Sequence, residues 1–304
     1  MFCRLSIIGV LTLLVVLPLQ AAEGPRVVVS IAPIHSLVAA VMAGVTTPEL
    51  LISGAASPHS YMLKPSQIKA LQRADLIVWN GESVESFMPR TLRSINSDQR
   101  VIKLVTLPGM ALLPSRSGGF WQAHEHSLHD HGAGEMDGHL WLDTTNAKVI
   151  VTAVAARLSE IDPGHTVQYR RNSTVLLQQL DELTREIDAT LTPVRTVPYL
   201  VFHDGYHYFE DRFKLRAAGA ISVDAEHKPG AKRLSEISTM VKQQQVRCIF
   251  SEPQYSAAVV QLVTAGTGIK SGVLDGIGSG LQPGPDLYFK LMRGLAQNLA
   301  GCLR

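Results

Sequence analysis

Three histidines in this sequence lie where predicted strands end or where a loop closes. His59 follows the predicted strand Leu50–Ile52, His203 comes directly after the apolar part of the predicted strand Tyr199–Phe202, and His139 follows a polar loop. One histidine in such a place is usually structural, but the carboxyl ends of parallel strands face a common cleft, so three indicate a shared role. Three neutral imidazoles and one further ligand make a tetrahedral Zn²⁺ site. Mn²⁺ and Mg²⁺ prefer oxygen ligands, so the pattern favours zinc.

Three carboxylates are candidates for completing or orienting such a site. Asp275 follows the predicted strand Gly272–Leu274 and is a candidate fourth ligand, with a water molecule as the alternative. Glu252 lies at the end of another predicted strand, where it could accept the second N–H of a ligand histidine; a helix-capping role would suit that place equally well. Asp204 is similarly placed, directly after His203. Spacing alone does not establish the site, because the three histidines lie far apart in the sequence.

Four further histidines fall within residues 115–138, a polar segment with neither strand nor helix periodicity. They are His124, His126, His129 and His131. By composition this segment is a loop that binds metal weakly at several points, and the alternative is a solvated insertion without function. We expect it to modulate the main site by collecting zinc or by sensing an excess.

The elements that would position these residues follow an α/β pattern, in which short β-branched runs alternate with longer amphipathic stretches. Predicted strands cover Val27–Ile31, Leu50–Ile52, Leu76–Trp79 and Val101–Leu104 in a first series, and Tyr199–Phe202, Ala220–Val223, Cys248–Phe250 and Gly272–Leu274 in a second; helices are predicted from His35, Ser66 and Val84 and over Asp286–Leu303. Between the series, residues 165–192 carry apolar side chains at helical spacing, with no internal Pro or Gly. We therefore predict two lobes, residues 23–164 and 193–304, each a mainly parallel sheet flanked by helices, joined by one long rigid helix.

Composition and the first residues indicate a globular, exported protein. The chain has 304 residues, 46% of them hydrophobic, and its 28 Lys and Arg nearly balance 26 Asp and Glu, which gives no electrostatic reason to expect nucleic acid. Residues 1–22 predict a cleaved secretory signal peptide. A membrane anchor is the alternative, but the apolar run of about 15 residues is shorter than the roughly 20 that span a bilayer. Cleavage leaves Cys248 and Cys302, which in an oxidising compartment predict one disulfide; two buried free thiols are the alternative.

Several motifs resemble those of the periplasmic zinc-binding proteins of bacterial high-affinity zinc importers, the ZnuA type. They are residues 54–61 (GAASPHSY), 64–66 (KPS), 74–79 (ADLIVW), 139–142 (HLWL), 201–209 (VFHDGYHYF), 229–231 (PGA) and 251–254 (SEPQ). The resemblance covers essentially the whole mature chain. It implies two lobes on a long helix, zinc ligands at His59, His139 and His203, a histidine-rich loop before His139, and a disulfide between Cys248 and Cys302.

The resemblance leaves the fourth ligand open. Some receptors of this type have a Glu immediately before the first ligand histidine, where this sequence has Pro58. The wider class of metal receptors uses an Asp near the last strand, which falls on Asp275. The function implied is capture of Zn²⁺ in the periplasm by a monomeric, non-catalytic receptor that passes it to a membrane ABC permease.

Two alternative functions are compatible with parts of this sequence. A receptor of the same fold could serve Mn²⁺ or Fe²⁺, or act as a periplasmic metal chaperone or an adhesin, although three histidines and the histidine-rich loop argue for zinc. A secreted zinc hydrolase would also hold zinc on three histidines and water. Against a hydrolase, the sequence has no His-Glu-x-x-His pair and no clear general base beyond Glu252 and Asp204.

Overall fold

The amino-terminal part of the chain forms a parallel sheet with helices on its faces. A computed structural model of the protein describes residues 24–95, 100–117, 121, 136–222 and 230–304. The first sheet has the order β2-β1-β3-β4, all parallel, from strands β1 (Val27–Ile31), β2 (Glu49–Ile52), β3 (Leu76–Trp79) and β4 (Val101–Lys103). Every residue of β1 and β3 is buried, as expected for strands covered on both faces. The covering helices are α1 (Ala32–Val41), α2 (Pro65–Arg73), α3 (Met88–Ser94) and α4 (Thr144–Ile161).

The carboxyl-terminal part repeats the same plan. Its sheet has the order β6-β5-β7-β8, again all parallel, from β5 (Tyr199–Val201), β6 (Ala217–Ala220), β7 (Cys248–Ser251) and β8 (Lys270–Val273). The helices of this part are α6 (His207–Phe213), α7 (Ala231–Gln243), α8 (Ala258–Thr267) and α9 (Leu287–Leu303). The predicted disulfide between Cys248 and Cys302 is present and ties α9 to β7.

One long helix, α5 (Thr166–Leu191), connects the two sheets. Its 26 residues correspond to a length of about 40 Å. Its buried side chains recur every three or four residues, so one face of the helix packs along its whole length; they include Leu176, Leu180, Leu183, Ile187 and Leu191. The predicted fold class, two parallel-sheet lobes on a long helix, is confirmed.

The two lobes share more than this helix. One cluster of buried apolar side chains runs from β1 in the first sheet through α5 to α9. At the junction, Ser36 Oγ in α1 donates to the carbonyl of Pro285 at 3.0 Å and accepts from the backbone N–H of Tyr288 at 2.9 Å. A second, smaller cluster lies beneath α7 and α8 on the other face of the second sheet. A continuous core across the lobes opposes large movements of one against the other.

Several predicted boundaries are wrong, among them the starts of α1, at Ala32 rather than His35, and of β8, at Lys270 rather than Gly272. Strand β6 covers Ala217–Ala220 rather than 220–223, because its Ala-Ala-Gly-Ala sequence has none of the β-branched residues that mark a strand. Helix α3 begins at Met88 rather than at Val84, since Gly81–Phe87 forms turns first. Among the described helices, none is long and apolar enough to cross a membrane. The predicted signal peptide and the four loop histidines lie outside the described residues.

Candidate metal centre

The fold brings His59, His139 and His203 together between the two sheets. His59 lies in the loop after β2, and His203 is the second residue after β5. His139 precedes a short buried 3₁₀ turn, Leu140–Leu142, that leads into α4. Parallel strands point their carboxyl ends the same way, and the two sheets turn these ends toward one cleft.

The three imidazoles are close enough to share one ion. One nitrogen from each lies within 4.8 Å of the other two, and this is the one potential metal-binding group of three or more His, Cys, Asp or Glu among the residues that the structure describes. Nε2 of His139 and Nε2 of His203 are 3.3 Å apart, a separation suited to two ligands of one tetrahedral ion with bonds of about 2.0 Å. Both side chains are 12% exposed.

Two of these histidines, His139 and His203, each have their ring orientation fixed by a buried carboxylate. Asp137 Oδ1 lies 2.7 Å from Nδ1 of His139, and Glu252 Oε1 lies 2.6 Å from Nδ1 of His203. Each of the same oxygens also accepts the backbone N–H of its histidine. An ionised carboxylate only accepts hydrogen bonds, so Nδ1 carries the proton and Nε2 presents its lone pair to the cleft.

These pairs also set the charges around the cleft. Burial disfavours the ionised form of Asp137, but the hydrogen bonds and charge of His139, together with the charge of His207, lower the pKa of Asp137. Burial likewise disfavours protonated His203, but Glu252, together with the charges of Asp204 and Asp137, raises the pKa of His203 above its ordinary value. A metal bound at His203 would therefore compete with protons at a higher pH than at an isolated histidine.

A glycine keeps open the space in front of the two Nε2 atoms. A Cβ added to Gly205 would press against Nε2 of His203 and lie 3.2 Å from Nε2 of His139. The residue stands where a side chain would fill the place of an ion. The cavity that the three histidines line has a volume of about 20 Å³, enough for one ion or one water. The donor set and the space both fit Zn²⁺.

The loop that carries His59 is attached to both lobes. Gln67 Nε2 donates to the carbonyl of Leu51 in β2 and to the hydroxyl of Tyr61. Ser57 Oγ lies 3.3 Å from the hydroxyl of Tyr255 in the second lobe. Pro58 lines the cavity beside His59 and offers it no oxygen donor from a side chain.

The three carboxylates predicted to complete or orient the site have different contacts in the structure. Glu252 contacts His203 as described, whereas the carboxylate of Asp204 forms an ion pair with Arg116. Asp275 is not part of the three-histidine group found among the described residues. Both of its carboxylate oxygens accept hydrogen bonds from nearby residues.

Arg116, near the start of the histidine-rich segment 115–138, forms ion pairs with the second lobe. Its guanidinium donates to Asp204 at 3.0 Å and to Glu210 at 2.6 Å, and it lies 3.5 Å from the centre of the Trp121 ring. Glu210 is 3% exposed and also accepts from the hydroxyl of Tyr199. A buried charge network therefore holds Arg116 against Asp204, the residue that follows His203.

Sequence reasoning missed Asp137, Gly205 and Arg116. A local pattern could have identified Asp137. An acidic residue two positions before a candidate ligand histidine can accept hydrogen bonds from both the backbone N–H and the ring N–H of that histidine. The role of Gly205 depends on where two distant histidines meet, and the partners of Arg116 lie about 90 residues away along the chain. Neither of these has a local signature.

Comparisons with known proteins identify the family of this chain. The sequence matches the family described as zinc-uptake complex component A, periplasmic (ZnuA), over residues 27–302. It is 41% identical to the high-affinity zinc uptake system protein ZnuA of Brucella abortus over 93% of each chain, and 34% identical to that of Yersinia pestis over 91% of each.

Solved structures show the same fold. A crystal structure of ZnuA superposes with a TM-score of 0.78 at 24% identity, covering 93% of this chain and all of that one. The periplasmic zinc binding protein TroA from Treponema pallidum gives 0.76 at 20% identity, covering 92% and 99%. With the family match over nearly the whole chain, we conclude that this protein belongs to the ZnuA family of periplasmic zinc-uptake components.

Proposed function

We propose that this chain captures Zn²⁺ in the periplasm, after cleavage of residues 1–22, and delivers it to the permease of an ABC importer. The observation that carries the proposal is the meeting of three imidazoles, two of them with Nε2 made available by a buried carboxylate, around a space that Gly205 keeps open. His59, His139 and His203 are the proposed ligands. The curated relatives described above are named for high-affinity zinc uptake.

Zinc is favoured over Mn²⁺ and Fe²⁺ by the donor set. The potential metal-binding group in the described part of the chain contains three nitrogen donors and no carboxylate. Imidazole suits zinc, while Mn²⁺ prefers carboxylate and water oxygens. A receptor for Mn²⁺ or Fe²⁺ is therefore the weaker proposal.

A receptor role also fits the site better than hydrolysis does. The two carboxylates that could serve as a general base are both engaged, Glu252 by His203 and Asp204 by Arg116. A zinc hydrolase needs a base within reach of the attacking water. We therefore propose a non-catalytic protein that acts as a monomer.

Release of the ion must overcome a rather rigid framework. The shared core and the long helix α5 restrict the movement of one lobe against the other. A ligand shifts a conformational equilibrium only by its differential affinity for the two states, so we propose that contact with the permease opens the site locally. The histidine-rich segment 115–138 would collect zinc at weak sites.

Removal of any one proposed ligand tests the function. We expect His59→Ala, His139→Ala and His203→Ala each to weaken Zn²⁺ binding at least tenfold (on the order of 1.4 kcal/mol), because a nitrogen donor is lost. The measurement is a competition titration against a chromophoric chelator. His165→Ala is the matched control, since that histidine contacts Asp162 at the junction of α4 and α5, away from the cleft.

The same variants connect binding to uptake. In a host whose own zinc receptor is deleted, the wild-type chain with its cognate permease should restore growth in chelated medium, and the three variants should not. Unchanged zinc affinity in all three variants would contradict the proposal.

A further inference from the structure

Gln254, three residues after the end of β7, lines the same cavity as the three histidines. Strands β7 and β8 are parallel neighbours, so the residues that follow them lie side by side. Gln254 Nε2 accordingly donates to Asp275 Oδ1 at 3.0 Å. The two residues act as one unit at the edge of the metal centre.

The carboxylate of Asp275 is occupied by the loop that follows it. Oδ1 also accepts the backbone N–H groups of Ile277 and Gly278, at 3.2 and 3.0 Å. Oδ2 accepts the backbone N–H and the hydroxyl of Ser279, at 2.7 and 2.8 Å. A carboxylate has about four lone-pair positions, and five donors already point at this one. Asp275 therefore has no free lone pair for a metal ion unless this loop rearranges.

These contacts determine which way the Gln254 amide is turned. An ionised carboxylate cannot donate, so the amide NH₂ must face Asp275 and the amide oxygen must face away from it. That oxygen, Oε1, is buried and has no hydrogen-bond partner among the described residues. A buried acceptor without a partner costs free energy, and this one belongs to a residue that lines the metal cavity. A hydrogen-bond donor inside the cavity would supply the missing partner.

We propose that Gln254 holds the fourth ligand of the zinc ion, a water molecule that donates a hydrogen bond to Oε1. The inference rests on the proposed function, in which three histidines bind the ion. A metal-bound water is a strong donor because the cation withdraws electron density from it. Asp275 then acts on the metal indirectly, as a positioning residue that turns the Gln254 amide.

This arrangement has a consequence for the choice of metal. Amide and water are both neutral, so the centre carries three imidazoles and no coordinated carboxylate. A carboxylate ligand would favour Mn²⁺ and other hard cations. Gln254 thereby completes the zinc site without adding the kind of ligand that suits its competitors.

A double-mutant cycle on zinc affinity tests the proposal. We expect Gln254→Leu to weaken zinc binding about tenfold, because the bound water loses its acceptor. Asp275→Asn should cause a similar loss, because an amide at 275 no longer dictates the orientation of Gln254. The double variant should bind no more weakly than Gln254→Leu, since both changes remove one interaction. Gln178→Leu, at an exposed position on α5, is the control and should bind as the wild type does.

Two results would overturn the proposal. One is wild-type affinity in Gln254→Leu. The other is a full additional loss from Asp275→Asn in the Gln254→Leu background, which would show that Asp275 acts on the metal independently of Gln254. These two results differ from a failure of the proposed function. If the three histidines did not bind the ion, the three histidine variants would keep wild-type zinc affinity.

A spectroscopic measurement separates ligand positioning from a purely structural role. With Co²⁺ in place of zinc, the visible d–d bands report the geometry of the fourth ligand. We expect these bands to differ between Gln254→Leu and the wild type and to be unchanged in Gln178→Leu. Identical bands in all three proteins would count against the proposal, because a residue that only packs beside the cavity would leave the coordination sphere as it is.

Discussion

Replacement of Gly205 by alanine is expected to weaken zinc binding by about 100-fold or more, a free-energy change on the order of 2.7 kcal/mol. The new methyl group would press against Nε2 of His203 and lie 3.2 Å from Nε2 of His139, in the space that the ion needs. The φ angle of Gly205 is not in the left-handed region, so alanine meets no backbone strain there. A competition titration measures the effect, and thermal unfolding of the metal-free protein shows that the variant is folded.

Gly294→Ala is the matched control for this substitution. Gly294 lies in α9, and nothing is within 4 Å of a Cβ added to it. Alanine is also the better helix former, so the control should fold at least as well as the wild type and keep its zinc affinity. Wild-type affinity in Gly205→Ala would contradict the position assigned to the ion.

Loss of the Arg116 guanidinium is expected to cause the largest change in stability. Arg116→Met leaves the carboxylates of Glu210 and Asp204 unpaired, and Glu210 is 3% exposed. Breaking a buried pair by removing one partner costs about 3–5 kcal/mol. The free energy of unfolding from urea titrations measures the effect. A loss below about 1 kcal/mol, the value for a surface ion pair, would contradict the account of this network.

The loss of unfolding free energy in Arg116→Met should be larger at high pH than at low pH. Burial raises the pKa of Glu210, and Arg116 opposes that rise. Without Arg116, Glu210 takes up a proton at a higher pH in the folded state than in the unfolded state. Stability is then retained at low pH and lost as the pH rises through the folded-state pKa. The deficit of Arg116→Met should therefore shrink from pH 8 to pH 5, and Glu210→Gln in the same chain should remove most of this dependence.

A surface pair provides the control for the Arg116 experiment. Lys103 contacts Glu82 at 2.5 Å, but the two side chains are 28% and 52% exposed. Water screens such a pair, so Lys103→Met should cost no more than about 1 kcal/mol and show little pH dependence over the same range.

Much of the fold was accessible from the sequence because its strands are buried on both faces. Such strands appear as unbroken apolar runs, as in Val27–Ile31 and Leu76–Trp79, whose bounds agree with the structure. The position of strand β6 was predicted wrongly because Ala-Ala-Gly-Ala has no such apolar run. Its pairing with β5 determines its conformation instead. Local pattern was sufficient where burial is continuous and failed where tertiary pairing determines the strand.

The candidate site divides along a similar line. His59, His139 and His203 could be singled out because each stands at the end of an element, but their meeting point depends on how two sheets face each other. Asp137 lies close to His139 in sequence, whereas the effect of Gly205 exists only in three dimensions. Asp275 was a reasonable candidate ligand from its place after β8; its hydrogen bonds with the following loop were not visible from spacing.

The central claim is that one Zn²⁺ ion binds between the lobes on three histidines, and its most direct test is a crystal structure of the zinc-loaded protein with anomalous data on both sides of the zinc absorption edge. We predict one strong anomalous peak within about 2.0 to 2.1 Å of a nitrogen of each of His59, His139 and His203. For His139 and His203 that nitrogen is Nε2. A principal peak elsewhere, or one bound by fewer than three of these histidines, would contradict the claim.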